Sequence, residues 1–174
     1  AGQFVTVIMF GDTEVRDASV EFNTQNGNEA FSPMQAFYFR TGIGGENSGS
    51  LCNEFPTSGV LIQTPKGGQR VDLVVNEVKL NIGSTILLEA PGEPDTLGQL
   101  QTPTGVDALD EREKSTMKVT TFEGEVIVEA AGNIEVIGAG EQAEIPLDSD
   151  SRPSAPPEKV ENPDLVASTA LLNL

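Results

Sequence analysis

Residues 71–90, VDLVVNEVKLNIGSTILLEA, hold three short runs rich in Val, Ile and Leu, separated by the polar pairs Asn76-Glu77 and Gly83-Ser84. Runs of this length, punctuated by Asn, Gly and Ser, read as β-strands joined by tight reversals. The same pattern extends upstream to Val60-Leu61-Ile62-Gln63, which breaks at Pro65-Lys66-Gly67-Gly68. Downstream it continues through MKVTTF (117–122), EVIVEA (125–130), NIEVI (133–137) and QAEIP (142–146), with glycine-bearing turns at Glu123-Gly124, Gly132-Asn133 and 138–140. Near the start, QFVTVIMF (3–10), EVRDASVEF (14–22) and MQAFYFRT (34–41) read as three more strands, with reversals at Gly11-Asp12 and Asn26-Gly27. With 18 glycines and 11 prolines in 174 residues, the chain is expected to be all-β, built from short antiparallel strands. Sandwich, barrel and β-roll closures share this pattern.

The expected organisation follows from the punctuation. Residues 1–41 form an N-terminal β-meander and 42–58 a loop dominated by Gly, Ser, Asn and Glu. Residues 59–148 form the main β domain, interrupted by an excursion at 91–116 that carries three prolines and a helical turn in VDALDEREK. Residues 149–174 begin as a Pro-rich tail that favours extended backbone on a surface. A short terminal helix then follows, capped by Asn162 with Pro163 and Asp164 in its first turn, and Leu165, Val166, Leu171 and Leu172 dock on the core. The segments VKLNIGSTILL and IEVIGAGEQAEI echo each other around Gly83 and Gly140, through internal duplication or through the likeness that β-meanders share.

Composition narrows the function. The chain carries 27 acidic against 10 basic residues, a net charge of -17, and no histidine. A field of this sign repels phosphate backbones and anionic membrane surfaces, so no nucleic acid is expected as a partner. Without histidine there is no Ser-His-Asp triad and no histidine-ligated zinc. The longest apolar run, Val7 to Phe10, falls far short of a membrane span, and no membrane insertion is expected. Ala1 is read as the mature end left by a peptidase that cuts after small residues, an expectation that the unprocessed gene product tests.

The acidic groups read mainly as solvated surface. Asp148-Ser149-Asp150 offers hard oxygen ligands for calcium but lacks the glycine and distal glutamate of an EF-hand loop. Asp107, Asp110, Glu111 and Glu113 alternate with Arg112 and Lys114, as on a solvated helix face. Glu123 and Glu125 flank Gly124 in a tight reversal, a spacing that suits a turn better than a glycosidase pair. Residues 64–68, Thr-Pro-Lys-Gly-Gly, lack the spacing of a phosphate-binding loop and read as a turn. Neither catalytic residues nor a metal or cofactor site are expected.

The first strand is unusual. Phe4, Ile8 and Phe10 point to one face while Val5, Val7 and Met9 point to the other, leaving Thr6 as the polar interior residue. Two expectations stand: a central strand covered on both sides, or a strand that inserts into the sheet of a neighbouring copy. Phe4, Val5, Val7, Ile8, Met9 and Phe10, with Leu171 and Leu172 near the other end, are the candidate interaction residues.

The segments CNEFPTSGVLIQTPKGGQRVDLVVNEVKLNIGSTILLEA and KVTTFEGEVIVEAAGNIEVIGAGEQAEIPLD resemble the two halves of the FecR-like domain of secreted bacterial proteins. The likeness lies in SGVLIQTP, the asparagine-led turn before Val78, the 82–85 segment, the 122–126 reversal and the Ala139-Gly140-Glu141 turn. It covers roughly residues 34–174. The resemblance implies a non-catalytic domain, secreted or at the cell surface, that presents surfaces. Members that relay iron availability to a sigma factor also carry a cytoplasmic segment and a transmembrane helix. This sequence contains neither, so iron signalling is not expected of it. Cys52 sits where such relatives often have a cysteine, but it has no second cysteine to pair with; a free thiol and an intermolecular disulfide are both open. The expected role is a self-associating subunit of an extracellular filament or surface assembly. The alternative is a monomeric binding or sensory domain contacting another envelope protein.

Overall fold

The computed structural model describes residues 5–25, 30–41, 58–90 and 115–161. It is a β-sandwich of two six-stranded sheets. The front sheet comprises β1 (Thr6–Phe10), β4 (Gly59–Gln63), β7 (Thr85–Glu89), β8 (Ser115–Glu123), β11 (Glu141–Leu147) and β12 (Glu158–Glu161), in that lateral order. The back sheet comprises β2 (Thr13–Asp17), β3 (Ala36–Thr41), β5 (Val71–Val75), β6 (Val78–Ile82), β9 (Glu125–Ala130) and β10 (Asn133–Gly138), in the order β10-β9-β6-β5-β3-β2. One helix, α1 (Ser19–Gln25), lies on the back sheet's outer side. No helix among the described residues is long and apolar enough to cross a membrane.

Alternation decides which side chains meet between the sheets. In β5 and β6 the odd or even positions Val71, Leu73, Val75 and Val78, Leu80, Ile82 are buried, while Asp72 and Lys79 face solvent. They pack against Val60, Ile62, Ile86, Leu88, Met117, Val119 and Ile145 of the front sheet. Each fully buried Ile or Leu contributes about 1.5–3 kcal/mol, so this layer carries most of the stabilisation.

The echoing segments have equivalent paths. β6 passes from the back sheet to β7 in the front sheet through Gly83-Ser84, and β10 passes to β11 in the same sense through Ala139-Gly140. β4 to β7 thus places its two outer strands in front and its middle hairpin behind, and β8 to β11 repeats this two strands further along each sheet.

Turns that need left-handed backbone are filled by glycine, as at Gly124 and Gly132, or by other residues. Asn76 (φ +49°) and Glu77 (φ +61°) form the two-residue β5–β6 reversal, with the geometry that matches strand twist. Asn76 is fully buried. Its Oδ1 accepts from the Phe39 amide at 2.9 Å, and its Nδ2 donates to the Phe39 carbonyl at 3.1 Å. The side chain thus extends the short β3–β5 pairing beyond the end of β5. Glu77 is held by the Tyr38 hydroxyl at 2.9 Å and by Arg152 at 3.0 Å.

Several expectations change. Residues 14–22 are not one strand: β2 ends at Asp17 and α1 begins at Ser19. The Asp17 carboxylate accepts from the Ser19 amide at 2.9 Å, and Ala18 and Phe22, one turn apart, pack with Ala36 and Val74. The first strands do not form a meander, because the Gly11-Asp12 turn carries the chain from the front sheet to the back; β1 pairs with β4, and β2 with β3. Among the described strands β1 lies at the edge of its sheet, not in the centre. Among the described strands one pairing, β3 with β5, is parallel, while β2 pairs antiparallel on the other side of β3. Ser115 and Thr116 of the expected excursion belong to β8, and the tail adds β12 to the front sheet besides running extended. The rest of the excursion, almost all of the 42–58 loop and the expected terminal helix lie outside the described residues.

The carboxylates divide by sign. Burial holds the Glu89 carboxyl above its usual range, with Lys118 drawing it back in part. Hydrogen bonds from Ser19 hold Asp17 below its usual range, and those from Lys159 and the Gly138 amide do the same for Glu141. The stability tied to Asp17 and Glu141 is complete above the ordinary carboxylate range and is lost as pH falls through their lowered values. Glu89 runs the other way: its favourable contribution exists below the ordinary range and is lost as pH rises through its raised value. Glu89→Gln should therefore melt higher than the parent chain at pH 7, the gap closing as the pH drops below about 4. Thermal melts across pH check this; an E89Q variant less stable than the parent at neutral pH would contradict it.

Candidate interaction site

β1 carries Thr6, Val7, Ile8, Met9 and Phe10, an unbroken uncharged sequence. One side of the strand pairs with β4, from Thr6 opposite Gln63 to Phe10 opposite Gly59. Its other side has no strand partner among the described residues. Val7, Ile8 and Met9 are 45%, 50% and 56% exposed. Strand alternation sets Ile8 on the outer face of the front sheet and Val7 and Met9 on the inner face. The two-faced apolar run is therefore exposed on both faces and along one edge.

An apolar cleft of about 560 Å³ lies beneath the inner face, lined by Val5, Val7 and Met9 above and by Val15, Phe37, Val71 and Leu73 around it. Its cause is the short contact between β3 and β5, which meet only at Ala36–Val74 and Phe37–Val75. Among the described residues, 71–73 of β5 consequently have no strand beside them on that side. Gln35 substitutes in part: its carbonyl accepts from the Val74 amide at 2.9 Å, and its side-chain amide donates to the Asp72 carbonyl at 3.2 Å. Among the described residues, the back sheet is short of backbone where Val5 and Val7 overhang it.

Met34 stands at this cleft, 47% exposed, with φ +64°. It occupies the third position of a Pro33-containing turn closed from the Gln35 amide to the Ser32 carbonyl at 3.0 Å. Glycine or asparagine ordinarily fills that position, and a longer side chain there costs about 1–2 kcal/mol. Two of the chain's three methionines, Met9 and Met34, thus line one cleft, and flexible thioether side chains are suited to adaptable apolar contact.

The other described edges are guarded. β2 presents Glu14, Arg16 and Asp17, and β12 presents Glu158, Lys159 and Glu161. β10 carries Glu135, set opposite the core residue Val128, and receives a hydrogen bond from Lys159 Nζ to the Val136 carbonyl at 3.3 Å. Charges and inward-pointing acids are how sheet edges avoid pairing with other chains. β1 has neither.

The remaining candidates are held in local structure. Glu123 pairs with Lys66 at 3.0 Å and Glu125 with Arg70 at 2.7 Å, so the carboxylates flanking Gly124 face separate cations. Asp148 Oδ1 accepts from the amides of Asp150 at 2.9 Å and Arg152 at 3.0 Å, closing its own turn. Residues 65–68 form a turn, with the Gly68 amide donating to the Pro65 carbonyl at 3.0 Å. Among the described residues, no group of three or more Asp, Glu or Cys side chains is placed so that it could hold a metal ion. Phe4, Cys52, Leu171, Leu172 and the Asp107–Glu113 acids lie outside the described residues.

Sequence reasoning singled out β1 but missed Val15, Phe37, Leu73 and Met34. The one local signal was Ser32-Pro33-Met34-Gln35, a turn sequence without the usual glycine. The chain matches no protein-family model, no curated protein and no solved structure.

Proposed function

We propose that this chain is a non-catalytic, FecR-like module of a secreted or cell-surface assembly, and that it associates with copies of itself by strand addition along β1. The uncharged edge of β1, unpaired among the described residues, carries the reading. In a chain of net charge -17, it is the described strand edge that carries no charged side chain of its own. β1 is already paired with β4 over five residues, which favours its acting as a template for an added strand over its leaving its own sheet. The absence of histidine and the separate ion pairs of Glu123 and Glu125 favour a structural role over a catalytic one.

Replacing Ile8 by Lys places a charge at the centre of this edge while leaving its β4 backbone pairing in place. The parent chain should show concentration-dependent association by sedimentation velocity, and I8K, folded by circular dichroism, should remain monomeric. Association should tighten between about 20 and 200 mM salt, as screening relieves repulsion between the acidic bodies. Dissociation on adding salt would count against self-association and point to a basic partner.

The cleft favours a second reading, a monomeric binding module that takes an extended apolar segment of another envelope protein beside residues 71–73 of β5. A parent chain that stays monomeric at every concentration would move the balance to it.

A further inference from the structure

We infer that β1 pairs with β1 of a second copy, antiparallel and two-fold symmetric about Ile8, so that the two six-stranded front sheets run on as one. The inference rests on the proposed role of β1 and names the partner strand and its register.

The register follows from the residues. With Ile8 opposite Ile8 of the second copy, Val7 faces Met9 and Thr6 faces Phe10, twice over by symmetry. Neither of the paired strands carries a charged side chain. The partly exposed Val7 and Met9 cover one another on the cleft side, and the two Ile8 side chains do so on the outer side. Cross-strand apolar pairs of this kind stabilise a sheet by about 0.2–1 kcal/mol each beyond the backbone hydrogen bonds.

Other edge pairings compare poorly. β12 against its own copy brings Glu158, Lys159 and Glu161 together, and β2 against its copy brings Glu14, Arg16 and Asp17. A β10 pairing sets Glu135 near its symmetry mate and displaces the Lys159 contact to Val136. β1 against β12 sets an uncharged strand against a charged one, leaving Val7 and Met9 half covered. The self-pairing of β1 is also isologous: each copy uses the edge it offers, so the contact closes at two.

Antiparallel residues directly opposite one another have Cα atoms about 4.5–5.5 Å apart, within the span of a disulfide. The test uses the full chain with Cys52→Ser, into which Ile8→Cys, Thr6→Cys or the Thr6→Cys/Phe10→Cys pair is introduced. Mild oxidation, nonreducing electrophoresis and sedimentation velocity are the readouts. The expected result is a covalent dimer from I8C and from the T6C/F10C pair, little from T6C alone, and a non-covalent dimer of the Cys52→Ser parent that does not grow further with concentration. Association abolished by Ile8→Lys but without the I8C crosslink overturns the register and leaves the role of β1 standing. Species that grow beyond two and are abolished by I8K overturn the closed pair in the same way. A monomer throughout, or a dimer untouched by I8K, overturns both the register and the role of β1. Ile8 is half exposed on an edge strand, and equal melting temperatures before oxidation show that each variant keeps the fold.

Discussion

Asn76→Ala is expected to destabilise the chain by about 4 kcal/mol. Three effects act together. Alanine at φ +49° is strained by about 1–2 kcal/mol, because its Cβ approaches the following carbonyl. The Phe39 amide and carbonyl then lose their partners, and each buried group left unsatisfied costs about 1–3 kcal/mol. Those bonds also continue the parallel β3–β5 contact, which has only two residue pairs of its own. Asn76→Gly removes the strain but not the unpaired groups, so it should be about 1–2 kcal/mol milder than N76A. Urea unfolding of both variants checks this. An N76A loss below about 1 kcal/mol would mean that Phe39 finds other partners.

Gly124→Ala should cost about 3 kcal/mol and Gly132→Ala about 1 kcal/mol. Both glycines have left-handed backbone, φ +70° and +77°, so the conformational cost is shared. They differ in surroundings. A Cβ on Gly124 would lie 2.6 Å from the Gly83 carbonyl oxygen and 3.2 Å from Ser84 Cβ, whereas one on Gly132 meets nothing within 4 Å. The clash is with backbone, which no side-chain rotation relieves. It falls where the β8–β9 and β6–β7 crossings touch, and where the Gly83 amide donates to the Glu125 carbonyl at 3.3 Å. Because the crossings join the two sheets, relaxing one displaces the other. Thermal and urea unfolding of the two variants give the comparison, and equal losses would show that the crossing yields more easily than this geometry requires.

Much of the fold was legible because its strands are short, alternate cleanly and end at polar or glycine turns. β5 to β7 and β9 to β11 fall close to the boundaries read from Val71 to Ala90 and from Glu125 to Pro146. α1 was not legible, since Ala18, Val20 and Phe22 also alternate as in a strand; the cap at Asp17 and the four-residue spacing of Ala18 and Phe22 were the competing signal, and Val20 is 75% exposed. The first strand shows a different limit. An apolar run describes what its side chains prefer and not where the chain sits, so a covered central strand and a bare edge read alike. The cleft was beyond reach because it depends on how far β3 slides along β5, a register between segments more than thirty residues apart. No residue in either strand announces that offset.

The repeated path of β4 to β7 and β8 to β11 makes length an adjustable quantity of this architecture. Each unit advances both sheets by two strands and passes between them at a glycine crossing. A further unit of the same pattern would lengthen the sandwich while leaving existing contacts between the sheets in place, much as a course of bricks extends a wall. The two ends then become separate problems of finishing. At β12 and β10 the finish is ionic, with Lys159 reaching across to Glu141 and to the Val136 carbonyl. At β1 the wall is left toothed, ready to be bonded to whatever stands beside it.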